Sequence, residues 1–300
     1  MKIAPRFYAP KEAIMGSPQA TITAAAGDAT ATLTVSEPGI LSLRRMVVSV
    51  SQDGALANAP MNALVSASVV ALEIDGSIAL LRGRNTPGAP AGWFSPTRPD
   101  HFVELPDIHV NAGQTIALTL NAAALTGLDG DFSFACPFFP DRYRGVAPYT
   151  VPKGGTQVAI ASPVTAVADA TAVALTMTVD TPGLIDLAKC WLGGVIAPTP
   201  NVDAQDAIRL DQWAYLSSLV LPSGENIILG QNAPLPSSGI ISQGRQINFV
   251  KLPVVKVVPG ETIVLTVRQD SGIASAMRWG APLYPTAGGK GGVNVGPGGC

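Results

Sequence analysis

Three hundred residues suffice for two ordinary domains, each able to bury a core without disulfide or metal staples. The chain is 47% hydrophobic and only 13% charged, its formal net charge is −2, and it holds 31 glycines and 26 prolines. With basic residues scattered near the N-terminus and never clustered, this balance argues against direct condensation of nucleic acid and for short strands punctuated by turns. The chain opens without the apolar stretch of a signal peptide, and no run approaches the roughly 18 apolar residues of a membrane span. Synthesis in the cytoplasm is therefore expected, without export unless by a route that needs no signal peptide.

In chain order, strand-like runs fall near 18–25, 30–36, 40–50, 67–74, 77–82, 101–110, 114–121 and 131–138. Pro38-Gly39 separates two of them and reads as a turn, with Pro presetting φ and Gly accepting positive φ. Asp75-Gly76 between SVVALEI and SIALL reads as a tight hairpin. From Thr115 to Leu120, Ile116, Leu118 and Leu120 alternate with Thr115, Ala117 and Thr119, the period of a strand with one buried face. Short helical insertions are expected near 55–65 and 203–210.

The second part of the chain repeats the first. FVELPDIHVNAGQTIALTL (102–120) and FVKLPVVKVVPGETIVLTV (249–267) share ten of nineteen positions at an offset of 147, with Pro106/Pro253 and Gly113/Gly260 common to both. LTVSEPG (33–39) matches MTVDTPG (177–183) at an offset of 144, and Ser223-Gly224 before ENIIL holds the place of Asp75-Gly76. A period this long indicates duplicated domains and not a solenoid. The expected organisation is all-β: two tandem jelly-roll-like β-sandwich domains from an internal duplication, at 1–146 and 147–287, followed by a Gly-rich flexible tail, 288–300. Eight strands in about 140 residues suit a jelly roll better than an immunoglobulin-type sandwich of roughly 100 residues.

Candidate chemistry is sparse. His101 and His109 flank Glu104 and Asp107, but along a strand the two histidines lie roughly 26 Å apart, too far to share one ion. Their partners in the second copy are Asn248 and Lys256, so ordinary surface histidines are expected and no metal. Cys136 and Cys190 align with Ala281 and Met46 and read as core fillers; Cys300 ends the tail. Nucleophile elbows, phosphate loops and dinucleotide fingerprints are absent from the sequence, so neither an enzyme nor a cofactor is expected. Trp93, Phe94, Trp191, Trp213 and Tyr215 either pack the sandwich or a subunit contact, or else form a carbohydrate platform. Arg142 and Arg144, in PDRYRGVAPY, fall between the copies, where they can lock the two domains together or pair with a neighbouring subunit.

The repeated FV-x-LP…G-x-TI-x-LT block and the paired Pro-Gly turns, in a weakly charged chain of two sandwiches, resemble the double jelly-roll major capsid proteins of tailless, membrane-containing bacteriophages. The resemblance implies two jelly rolls side by side, homotrimers forming pseudo-hexagonal capsomers of an icosahedral shell, and contacts with other virion proteins and an internal membrane. It places the protein in the virion. The different expectation is a tandem carbohydrate- or receptor-binding module of a phage spike or fibre.

Overall fold

The computed structural model describes residues 12–18, 20–22, 27–52, 68–76, 78–82, 89–90, 94, 105–121, 130–145, 149–152, 157–168, 171–196, 214–230, 235–236, 252–269 and 275–286. Among them the regular elements are β-strands and short 3₁₀ turns. The helical insertions expected near 55–65 and 203–210 lie outside the described residues.

In the first half the strands are β1 (Ala13–Gly16), β2 (Ala20–Ile22), β3 (Asp28–Thr34), β4 (Gly39–Ser42), β5 (Val47–Gln52), β6 (Ser68–Ile74), β7 (Ile78–Arg82), β8 (Ala89–Pro90), β9 (Asp107–Val110), β10 (Thr115–Asn121) and β11 (Gly130–Pro140). The second half holds β12 (Val158–Ala161), β13 (Thr165–Val167), β14 (Val173–Thr178), β15 (Gly183–Asp186), β16 (Trp191–Ile196), β17 (Ala214–Val220), β18 (Ile228–Gly230), β19 (Leu235–Pro236), β20 (Val254–Val257), β21 (Thr262–Gln269) and β22 (Ser275–Pro285).

The strand expected near 40–50 is broken in the middle, and the one expected near 18–25 is the shorter β2, preceded by a strand, β1, that the sequence reading did not expect. β1 and β2 both lie along β11, interrupted at Ser17-Pro18, where the proline cannot donate to a ladder. β4 and β5 also lie along β11, separated by the 3₁₀ turn Leu43–Arg45. With each broken pair counted as one strand, the first sheet runs β1/β2–β11–β4/β5–β9 and the second β3–β10–β6–β7. Strands one, eight, three and six thus form one layer, and two, seven, four and five the other. This interleaving of two Greek keys is a jelly roll.

The second half repeats this order as β12/β13–β22–β15/β16–β20 in one sheet and β14–β21–β17 in the other, where β19 pairs with β17 as β8 pairs with β6. The registers also coincide under the sequence offsets. Leu118 faces Ala31 and Leu72, while Leu265 faces Leu175 and Leu219. A β-bulge breaks the β6–β10 ladder at Thr119/Leu120, and its counterpart breaks β17–β21 at Leu216/Ser218, leaving Val70 and Ser217 as the extra residues.

Each sandwich closes over its own apolar cluster. Leu33, Leu41, Leu118, Phe134 and Phe138 belong to the first; Leu175, Ile185, Leu265, Trp279 and Leu283 belong to the second. Period-two burial along β10 and over Ser275–Trp279 of β22 supplies these inward faces, because successive side chains point to opposite sides of a sheet. Trp279 satisfies its buried indole by donating Nε1–H to the Leu175 carbonyl at 2.7 Å.

The repeated glycines serve two different needs. Gly113 and Gly260 adopt φ of +87° and +88°, and their N–H groups donate to the Val35 and Val179 carbonyls at 2.8 Å. Gly39 and Gly183, in the Pro-Gly pairs, do not take positive φ, contrary to the sequence expectation; each begins a strand. A Cβ on Gly183 would stand 2.5 Å from the Tyr284 carbonyl oxygen, and one on Gly39 would overlap the Phe139 carbonyl oxygen. Close approach of β4 to β11, and of β15 to β22, is what requires glycine there.

Candidate interface between the two halves

The halves differ most at the strand that follows Asp75-Gly76 in one and Ser223-Gly224 in the other. In the first half Asp75 and Gly76 both take positive φ and β7 returns along β6. The Asp75 carboxylate holds this turn by accepting from the Thr115 N–H at 2.8 Å and from Gln114 Nε2 at 2.9 Å. The backbone bond from Thr115 and then the Gln114 amide hold its pKa below the usual carboxylate value.

In the second half the hairpin makes one bridge, Val220 to Asn226, and then opens. Asn226 Oδ1 accepts from both Leu219 N–H (3.0 Å) and Ile228 N–H (3.1 Å), taking a position that a strand carbonyl would fill. β18 therefore leaves its own sheet and pairs in parallel with β1, Ile14 opposite Ile228 and Gly16 opposite Gly230. Ile14 N–H donates to the Ile227 carbonyl at 3.0 Å. A strand of the second half is thus an edge strand of the first half's seven-stranded sheet.

Side chains follow the backbone across the junction. Ile14 and Ala135, on the outer face of the first half's sheet, join the second half's apolar cluster together with Ile227 and Ile228. Leu229 points the other way and packs on the first half's cluster. β19 also lies against β11. Burial at this scale, about 25 cal/mol per Å² of apolar surface, favours a fixed junction over two loosely tethered domains.

Arg142 closes one end of the junction. It sits in the 3₁₀ turn Asp141–Tyr143 that follows β11, with its guanidinium 4.7 Å from the Tyr143 ring centroid. Its Nη2 donates to Glu225 Oε1 at 2.5 Å and lies 3.2 Å from Glu37 Oε1, so one cation joins carboxylates from both halves. Burial pushes the Glu225 carboxyl above its ordinary pKa; Arg142 opposes that shift and Glu37 adds to it. Arg144 is exposed and contributes its backbone N–H, which donates to the Asp141 carbonyl at 2.9 Å.

The remaining sequence candidates are dispersed. Phe94 is buried within the first half's apolar cluster, so it packs the sandwich. Trp191 lies on the outer face of the second half's sheet, its indole over Gly280 and Gly193 and the Arg278 guanidinium 5.4 Å from its ring centroid. Tyr215 lies in β17, and Trp93 and Trp213 fall outside the described residues. His109 Nε2 lies 2.9 Å from Asp141 Oδ2, while Asp107 pairs with Arg44 at 3.0 Å and accepts from Ser42 Oγ at 2.7 Å. His101 and Glu104 lie outside the described residues. Among the described residues no group of three or more His, Cys, Asp or Glu is placed to hold a metal. Cys136 and Cys190 are both buried; burial raises both thiols, Cys190 to about 12 with the Asp186 charge adding to the shift.

Two polar clips escaped the sequence reading. Ser17 N–H donates to the Phe134 carbonyl and its Oγ accepts from the Phe134 N–H; Ser162 does the same with Trp279. Ser-Pro at 17–18 and again at 162–163 carried the signal. The second clip joins Arg45 to the buried Glu12 through two bonds of 3.0 and 3.1 Å while it stacks on Phe139. At the matching place Lys189 stacks on Tyr284, whose hydroxyl donates to Gln157 Oε1 at 3.2 Å.

No family model and no curated protein matches the chain. Among solved structures it is similar to the CUB1-EGF-CUB2 domain of human MASP-1/3, at 9% sequence identity and a TM-score of 0.17, over 89% of this chain and 99% of that one. A likeness of that size carries no argument about fold or function.

Proposed function

We propose that the protein is a structural, self-assembling protein and most nearly a bacteriophage major capsid protein, built by internal duplication and forming pseudo-hexagonal trimeric capsomers of an icosahedral shell. The observation that carries the reading is the junction: β18 of one jelly roll extends the sheet of the other, and Arg142 ties Glu37 to Glu225 across it. Two similar units joined side by side through a built edge contact form a tile, and three such tiles approximate sixfold symmetry. Low charge and many small residues let such tiles meet with little desolvation cost. The partners in this reading are further copies of the chain, other virion proteins and an internal membrane. No nucleic-acid contact, catalytic step or cofactor forms part of it, and the location is the virion.

A tandem glycan- or receptor-binding module is the second reading, favoured by Trp191 on an outer sheet face beneath Arg278. Native mass measurement and negative-stain microscopy of the purified protein separate the two. Trimers of hexagonal outline, or larger shells, are the expected result. A monomer that binds glycans on an array would overturn the capsid reading and support the module.

A further inference from the structure

Equivalent faces of the two sandwiches have unequal fates. On the first half's outer sheet face, Ile14 is 0% and Val47 5% exposed, and Gly16, Ser133 and Pro137 are also buried. At the corresponding places in the second half, Ala159, Ala161 and Arg278 are exposed, and Trp191 and Pro282 are half-buried. The first half's face is covered by the second half of the same chain. Within the described residues nothing of this chain covers its sister.

The strand edges show the same asymmetry. β1 has β18 on its far side, whereas β12, its counterpart, pairs only with β22 among the described residues. The counterpart of β18 is β7, which among the described residues pairs only with β6 and begins at Ile78, 57% exposed. β12 reads Val-Ala-Ile-Ala, without a charge, proline or bulge to deter pairing, and Val158 at its start is 45% exposed. Long-lived soluble proteins blunt such edges, so an unprotected one marks a pairing site.

We propose that β12 and the adjoining outer face, from Trp191 to Ala161, receive the β7 edge of a second copy of this chain, in a parallel pairing that repeats the β1–β18 junction between molecules. Carried over through the sequence offsets, Ala159 lies opposite Leu80 and Ala161 opposite Arg82, and Ala159 N–H donates to the Ala79 carbonyl as Ile14 N–H does to Ile227. The donor is available. Ala159 faces Pro282 across the β12–β22 ladder, and a proline has no N–H with which to form a hydrogen-bonded pair there. The Ala159 N–H therefore points to the outer edge, just as Ile14, opposite Pro137, points its own towards β18. Such a contact is head-to-tail: the second half of one copy meets the first half of the next, and the trimer of the assembly reading is the case in which three copies close into a ring. The inference rests on the self-assembly reading and gives it a surface and a register.

Two variants of the full chain test it. Ala159→Pro removes the outward donor and keeps the β12–β22 ladder, since proline is tolerated at a sheet edge. Ala159→Cys with Leu80→Cys, in a Cys300→Ser background, puts one cysteine at each of the two backbone positions that the proposed register sets opposite. The expected results are a wild-type oligomer by native mass spectrometry, the mass of a single chain for Ala159→Pro with an unchanged circular dichroism spectrum, and ladders of disulfide-linked chains for the double-cysteine protein on non-reducing gels. Thermal unfolding of Ala159→Pro at the wild-type temperature checks that its fold is intact. If Ala159→Pro assembles like wild type and no ladder forms, the docking surface is wrong and the assembly reading stands. A wild-type protein that stays a single chain at every concentration overturns both.

Discussion

Arg142→Ala tests whether the junction is held by charge as well as by strand pairing. At 3.2 Å and an effective dielectric of about 20, one unit pair is worth about 5 kcal/mol before any cost is counted. The Arg142 side chain is 46% exposed, however, and the Glu37 and Glu225 side chains 20% and 22%. Solvent screening and side-chain ordering reduce such contacts to at most about 1 kcal/mol each. Removing the cation also leaves two carboxylates facing one another, so the expected loss at pH 7 is about 1–3 kcal/mol. The sign with pH follows from Glu225. Its pKa in the folded protein already lies above the ordinary 4.5, so its charged form is a cost to folding that is relieved as pH falls towards that value. Without Arg142 the folded pKa rises further and more cost is relieved on acidification. The gap between wild type and variant should therefore be widest near pH 7 and close towards pH 4, as read by thermal unfolding at the two pH values. An equal gap at both, or no gap at pH 7, would refute the electrostatic account of this residue.

Further outcomes are expected elsewhere in the fold. Gly183→Ala should destabilise by about 1–3 kcal/mol through overpacking against Tyr284 and Leu283, and Gly260→Ala by about 1–2 kcal/mol through its φ of +88°. Urea unfolding distinguishes the causes, because asparagine should restore much of the loss at 260 and none at 183. Ser162→Ala leaves the Trp279 N–H buried without its acceptor and should cost about 1–3 kcal/mol in the same assay, as should Ser17→Ala at Phe134. Cys136 and Cys190 should resist alkylation at pH 8 until the protein unfolds, since burial holds both thiols protonated; peptide mass mapping after a timed pulse reads this directly.

Much of the scaffold was legible because it is written in local rules. Alternation in Thr115–Leu120 and Thr262–Val267 fixed two inner strands, and the offset of 147 carried over to the observed registers and even to the bulge beside Thr119 and Thr266. Cys190, aligned with Met46, and Cys136, aligned with Ala281, were readable as core positions because an apolar residue stood at the matching place in the other half. The Pro-Gly pairs misled: they look like positive-φ turns, but the constraint at Gly39 and Gly183 comes from strands distant in sequence, β11 and β22. The site was less legible still. Arg142 could be placed between the copies, yet its partners Glu37 and Glu225 are 105 residues before and 83 after it, at positions no local pattern marks. Where β18 departs, the Asn226 side chain accepts from two backbone N–H groups, contacts that are invisible to periodicity.

The strand that joins the halves also sets an order of events during synthesis. Ile14 meets Ile228, a residue made 214 positions later, and closing so long a loop is slow as well as entropically costly. Throughout that interval the nascent first sheet leaves the ribosome with one side bare, its margin the uncharged run Ala13–Gly16. Chaperone protection would matter most in that window, and a chain that terminates early, before Ile228, would be released as a sheet lacking its last strand and prone to clump.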